Sequence, residues 1–170
     1  MKKIIIFGSS GAGKSTFAKL LSKYTGINLV HLDQEYWKPS WVRTDSDVFK
    51  KRIKELISED EWIMDGNYRN TMDIRIAKAD AIIFLDFSRW TCLFRLFKRR
   101  LKNNRVDVLN CCDEQITYEL IKWILWIFPR INRKEILNKI NKVKNKKKVV
   151  ILKSNKQMEE FLKNCIKKQL

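Results

Sequence analysis

Histidine occurs once in this 170-residue chain, proline twice and glycine five times. No tract rich in proline, glycine or serine interrupts it, and no internal repeat or low-complexity segment is visible, so one domain over residues 1–170 is expected. The four cysteines (Cys92, Cys111, Cys112 and Cys165) form no C-x-x-C pair and have no cluster of histidines to join, which argues against a zinc site. Reduced thiols are the simplest reading; the adjacent Cys111 and Cys112 are where redox or soft-metal chemistry would be sought. No leading apolar segment has the pattern of a signal peptide, so a cytoplasmic setting is expected. The apolar stretch 123–128 falls far short of the ~20 residues that cross a bilayer, so no membrane partner is expected.

Acidic residues are also scarce: 19 Asp and Glu stand against 36 Lys and Arg, a formal net charge of +17. That balance attracts polyanions, and it suits either an enzyme that handles phosphates or a nucleic-acid binder. Much of the excess lies in 134–148 and 163–168, interleaved with apolar positions at helical spacing, which reads as solvated helix faces.

Against this background one segment stands out. After the apolar run Ile4-Ile5-Ile6-Phe7 comes Gly8-Ser9-Ser10-Gly11-Ala12-Gly13-Lys14-Ser15, which fits the phosphate-binding loop G-x-x-x-x-G-K-[ST] at every fixed position. Glycines let the backbone curl so that successive N–H groups face phosphate oxygens, and the loop then opens a helix whose N-terminus favours anions. Lys14 is placed to reach the β and γ phosphates, Ser15 to ligate Mg²⁺, and Thr16 to begin the helix. ATP and Mg²⁺ are the cofactors this segment implies.

Five β-like runs, at 3–7, 28–32, 61–65, 81–86 and 148–152, alternate with helical patterns, the layout of an α/β domain with a mainly parallel sheet. Helical periodicity marks 15–24, ended by Gly26, and a stripe of Val48, Ile53, Leu56 and Ile57 after the start signal Thr44-Asp45-Ser46-Asp47. Further helices are expected near 72–78, 90–102, 114–128, 133–144 and 156–168, with Pro129 separating the two that flank it. The polar segment 103–113 between basic residues is a candidate lid.

Acidic residues at strand ends complete a candidate site. Asp65 closes Trp62-Ile63-Met64 and is placed to hold a Mg²⁺-bound water beside Ser15; Asp86, at the end of the fourth strand, is the alternative. Asp33 ends the second strand, where it can deprotonate or orient an acceptor hydroxyl, whereas His31 reads as structural. Arg95, Arg99 and Arg100 precede the candidate lid and are placed to stabilise charge during transfer, with Arg105, Arg130 and Arg133 as weaker candidates. Trp37, Trp41 and Trp90 are candidates to wall an acceptor pocket.

Taken together, these segments resemble the adenylate-kinase-like phosphate-loop kinases, and more closely the small bacterial proteins named topology modulation proteins. The likeness runs through the loop, His31-Leu32-Asp33 with Trp37-Lys38-Pro39, Trp62-Ile63-Met64-Asp65-Gly66-Asn67-Tyr68, Phe84-Leu85-Asp86 with Arg89-Trp90, and Phe128-Pro129-Arg130. It implies a three-layer α/β/α fold with a five-stranded parallel sheet ordered 2-3-1-4-5, a small helical lid after the fourth strand, and an adenine site near 153–156. Nucleoside monophosphate kinases follow the Asp-Gly with Phe-Pro-Arg, whereas this chain has Asn67-Tyr68-Arg69, a departure that falls on the acceptor side. The expected activity is Mg²⁺-dependent phosphoryl transfer from ATP to a small hydroxyl- or phosphate-bearing acceptor. The alternative is a nucleotide-binding regulator contacting DNA or RNA, although no helix-turn-helix or zinc finger is visible.

Overall fold

The computed structural model describes residues 1–101 and 116–167. The candidate lid at 103–113, Arg105 and the pair Cys111 and Cys112 lie outside the described residues.

The chain opens with β1 (Lys3–Gly8), whose apolar residues are buried on both faces, and passes through the glycine-rich loop into α1 (Lys14–Thr25). Gly26 ends that helix in the left-handed region at φ 73°, donating its N–H to the Ser22 carbonyl. There follow β2 (Leu29–His31), the short α2 (Leu32–Tyr36), and a hairpin of β3 (Trp37–Lys38) and β4 (Val42–Arg43) around a 3₁₀ turn, Pro39–Trp41. Helix α3 (Ser46–Leu56) is capped by the Asp45 carboxylate, which accepts from the Asp47 and Val48 N–H groups at 2.9 and 3.2 Å. Then come β5 (Trp62–Asp65), α4 (Arg69–Lys78), β6 (Ala81–Leu85) and α5 (Arg89–Leu101). Helix α6 (Tyr118–Lys122), a π-helical stretch Trp123–Asn132, α7 (Arg133–Val143), β7 (Lys148–Leu152) and α8 (Asn155–Lys167) complete it.

The main sheet is ordered β2-β5-β1-β6-β7 with every neighbouring pair parallel, the 2-3-1-4-5 order expected from the sequence. One face is covered by α3, α4, the π stretch and α7, where Ile5, Phe7, Met64, Phe84, Phe128 and Ile136 pack together. The other is covered by α1, α5 and α8 around Ile4, Ile6, Phe17, Leu21, Ile83 and Leu96. Alternate residues of β1 enter opposite cores, which is why the strand reads as an unbroken apolar run. Register brings His31 level with Asp65 and Asp65 level with Ile6, so the carboxyl ends of β2, β5 and β1 form one edge. At the opposite edge, the Lys2 and Lys3 N–H groups donate to Asp80 at 2.9 and 3.0 Å, holding that carboxyl below its usual range.

Pro129 does not separate two helices. Its stretch is π-helical and runs straight into α7, with the Arg133 N–H reaching the Phe128 carbonyl five residues back. A proline disrupts an α-helix by clashing with the carbonyl four residues earlier; the wider π turn moves that carbonyl aside. The second strand also ends one residue early, because Leu32 turns its side chain into the core as the first residue of α2.

Candidate active site

The phosphate loop is held from both sides. Within it the Ala12 N–H bonds the Ser9 carbonyl at 3.1 Å, and Lys14 Nζ donates to the same oxygen at 3.1 Å. Gly11 has φ 76°, and a Cβ there would lie 2.1 Å from the Cys92 carbonyl oxygen, so α5 supports the loop where only glycine fits. From the other side Asn67 clamps Gly8 like a second peptide group: its Nδ2 donates to the Gly8 carbonyl at 2.9 Å and its Oδ1 accepts from the Gly8 N–H at 3.2 Å. Ser10 and Gly13 are half-buried, and Thr16 is exposed on the first turn of α1.

Ser15 and Asp65, fifty residues apart, meet at the mouth of this loop. Ser15 Oγ donates to Asp65 Oδ2 at 2.9 Å, while Asp65 Oδ1 lies 2.6 Å from His31 Nδ1. Asp65 is 5% exposed, so both of its oxygens are fixed by neighbours in a poorly hydrated setting. A hydroxyl and a carboxylate converging beside a phosphate loop form an oxygen donor set that fits Mg²⁺, directly or through its water shell. Asp86, the alternative, is committed elsewhere: Arg133 grips it in a two-point pair, Nε to Oδ1 at 2.7 Å and Nη2 to Oδ2 at 2.8 Å.

Asp33 lies beyond His31, where Tyr68 donates its hydroxyl to Asp33 Oδ1 at 2.6 Å. Burial, together with the adjacent Asp33 carboxylate, pushes the Tyr68 phenol well above its usual range, so it remains a donor. Its ring packs on Tyr36 and Phe49, with centroids 4.8 and 5.1 Å away, and Trp37 and Trp41 continue this aromatic cluster along the hairpin. Trp90 does not join them; it sits on α5 with the Arg89 guanidinium over its ring.

Sequence reasoning did not single out Arg75, which organises the turn between Asp65 and Tyr68. Its fully buried guanidinium donates to the carbonyls of Gly66 (3.0 Å), Asn67 (2.9 Å) and Tyr68 (3.0 Å), and it lies over the Phe7 ring. Burial draws it down to about 9, so it stays charged at neutral pH. Gly66 is required at this turn: its φ is 135°, and a Cβ would come within 2.9 Å of the Leu32 Cβ.

On the other side of the loop, Arg95 donates to the Ala12 carbonyl at 3.0 Å and to Asn155 Oδ1 at 2.6 Å, and its guanidinium lies 4.2 Å from the Phe87 ring centroid. Arg99 is one turn further along α5 and half-buried, whereas Arg100 is exposed and about 140° round the helix from Arg95. Arg130 is exposed on the π stretch. A cavity of about 530 Å³ opens beside the loop on this side, lined among others by Ser9, Asp86, Arg89, Phe128, Arg133 and Lys153. It is large enough for a small metabolite and mixes apolar walls with cationic groups.

A phosphate loop at the end of a central parallel strand, flanked by helices on both faces of a 2-3-1-4-5 sheet, is the adenylate-kinase-like phosphate-loop kinase fold. Solved structures of that class resemble the whole chain. A gluconokinase from Sinorhizobium meliloti 1021 superposes with a TM-score of 0.57 at 14% identity, covering 98% of this chain and 90% of its own. An unliganded sugar kinase from Janibacter sp. HTCC2649 gives 0.53 at 12% identity, covering 100% and 92%. A shikimate kinase from Aquifex aeolicus vf5 gives 0.51 at 16% identity, covering 98% and 94%. Likeness at these identities establishes the fold. Neither a protein-family model nor a curated protein matches the sequence. Among the described residues no helix is long and apolar enough to cross a membrane, and no group of three or more His, Cys, Asp or Glu side chains is arranged to hold a metal.

Proposed function

We propose that the protein is an ATP-using, Mg²⁺-dependent phosphotransferase that acts on a small hydroxyl- or phosphate-bearing acceptor. The observation that carries this reading is the 2.9 Å bond between Ser15 and Asp65 at the mouth of the phosphate loop. The loop from Gly8 to Thr16, through its amides other than those of Gly8 and Ala12 and with Lys14, would hold the triphosphate, and Ser15 and Asp65 would hold the metal, with Asp65 acting through water. Bound Mg²⁺ supplies neutralisation of charge on the β and γ phosphates. Asp33, oriented by Tyr68, would take the proton of the acceptor hydroxyl or hold it in line. Arg95 fixes the loop through the Ala12 carbonyl, and Arg95, Arg99 and Arg100 would be the cations that stabilise the transferred charge. The finer likeness to topology modulation proteins rests on the sequence segments quoted above, and the acceptor is the part of the reading that this likeness does not supply.

The test is Mg²⁺-dependent ADP release from ATP against a panel of nucleosides, nucleoside monophosphates, sugars and hydroxy acids, with Lys14→Ala alongside. Turnover stimulated by one acceptor class and lost in Lys14→Ala supports the proposal. A folded, fully active Lys14→Ala protein overturns it. ATP binding without stimulation by any member of the panel would favour a nucleotide-gated regulator.

A further inference from the structure

Helix α5 carries an apolar stripe that the site does not use. Trp90 is 63% exposed, Phe94 66%, Phe97 44% and Leu101 88%, although α5 buries Cys92 and Leu96 on another face. Their spacing of four, three and four residues places all four side chains on an arc about 60° wide. That arc lies well round the helix from Arg95, which faces the phosphate loop, so the stripe points away from the nucleotide side. Arg89 Nη1 bonds the Leu125 carbonyl at 3.0 Å, which brings the neighbouring Trp126, itself 45% exposed, close to the Trp90 end.

The charges on this helix indicate what covers the stripe. α5 contains Arg89, Arg95, Lys98, Arg99 and Arg100 and no acidic residue. On the helical wheel Lys98 borders the stripe on one side and Arg100 on the other, so a row of Trp, Phe and Leu runs between two cationic margins. A second copy of α5 would set like charges against one another along the contact. A nucleic-acid duplex would satisfy the cations but keeps its base faces stacked inside, and the exposed bases of a single strand would stack on Trp90, Phe94 and Phe97 while leaving the aliphatic Leu101 uncovered. An anionic bilayer surface meets both needs, because aromatic and leucine side chains enter the headgroup–acyl boundary while Lys and Arg stay among the phosphates. A chain with no spanning helix can bind in this way, since the helix lies in the interface plane.

We propose that the exposed face of α5, centred on Trp90, Phe94, Phe97 and Leu101, docks the protein on anionic lipid surfaces. This goes beyond the phosphotransfer reading and does not rest on it.

The experiment is sedimentation of the full-length protein with vesicles of phosphatidylcholine alone, or of phosphatidylcholine with roughly one third phosphatidylglycerol. ATP binding is measured on each variant as a check of fold. Wild type should bind the anionic vesicles and bind the zwitterionic ones at least about tenfold more weakly. Phe94→Ser combined with Leu101→Ser, both at exposed positions, should weaken vesicle binding by about tenfold or more and leave ATP affinity unchanged. Lys98→Glu should weaken it about fivefold, with the loss shrinking as salt is added. Three results overturn the proposal: no binding to anionic vesicles; binding that the double serine variant retains in full while duplex DNA competes for it; or a concentration-dependent dimer of wild type that this variant abolishes. Loss of ATP binding in wild type would count against the phosphotransfer reading and leave the vesicle result to stand alone.

Discussion

The β2–β5 flank of the phosphate loop and its β6–β7 flank solve the problem of polar groups in opposite ways. On the first, Asp65 and Arg75 are buried at 5% and 0% exposure, and both are bonded to groups that the sheet register brings level or to the turn that follows. On the second, Asp86 and Arg133 pair at the rim of an open cavity, where the Asp86 side chain is 6% exposed but Arg133 is 41% exposed. The buried flank is preorganised, since moving any member would strand a desolvated partner. On the open flank only the guanidinium end of the pair is wet, so Arg133 can meet water or a ligand there while the Asp86 carboxylate stays committed to it.

The sharpest way to break this contrast is at the loop that both flanks share. Lys14→Ala should reduce ADP release by about a hundredfold or more with the thermal midpoint nearly unchanged, because Lys14 is half-buried and its one described bond is to the Ser9 carbonyl. Asp65→Asn should lower Mg²⁺-dependent turnover by a similar factor, whereas Asp86→Asn should lower it less than about tenfold; equal losses in the two variants would erase the distinction between the flanks.

Stability offers the next comparison. Arg75→Leu leaves three carbonyls without their donor in the core and should cost about 3 kcal/mol or more in chemical denaturation. Arg133→Leu strands the Asp86 carboxylate, whose side chain is 6% exposed, but at the rim of a cavity that can hydrate it, and should cost about 2 kcal/mol. Tyr68→Phe removes one bond to Asp33 and should cost about 1 kcal/mol, while raising the acceptor KM more than it lowers kcat.

The smallest effect belongs to the edge remote from the site. Asp80 is held below its usual value of 3.8 by the Lys2 and Lys3 N–H groups, so its contribution to stability is present above that value and disappears as pH falls through the lower folded value. Asp80→Asn should therefore be slightly less stable than wild type at neutral pH, with the difference vanishing in strong acid, as read from urea midpoints across pH.

Much of this was legible from local pattern. The loop motif, the strand before it and the helix after it are neighbours in sequence, so the pattern could be read without knowing that Cys92 presses on Gly11 or that Asp65 meets Ser15. Asp65 was legible because an acidic residue at the end of an apolar strand stands out. Arg75 was not: in Asp73-Ile74-Arg75-Ile76-Ala77-Lys78 it reads as one more solvated cation, and its burial follows from α4 packing over Phe7. Asn67 was legible only as a departure on the acceptor side, and its clamp on Gly8 was not legible because the two are fifty-nine residues apart. Pro129 misled because its helix-breaking rule presumes α geometry, and the backbone there is π-helical.

The sequence by itself determined an α/β chain with a phosphate-loop motif and carboxylates near its strand ends, because hydrophobic periodicity and turn chemistry act over a few residues. The tertiary structure alone decided which carboxylate meets Ser15, which is taken by Arg133, and which face of α5 the described residues leave uncovered. Each of these depends on strand order and register, which set residues fifty positions apart within 3 Å of one another.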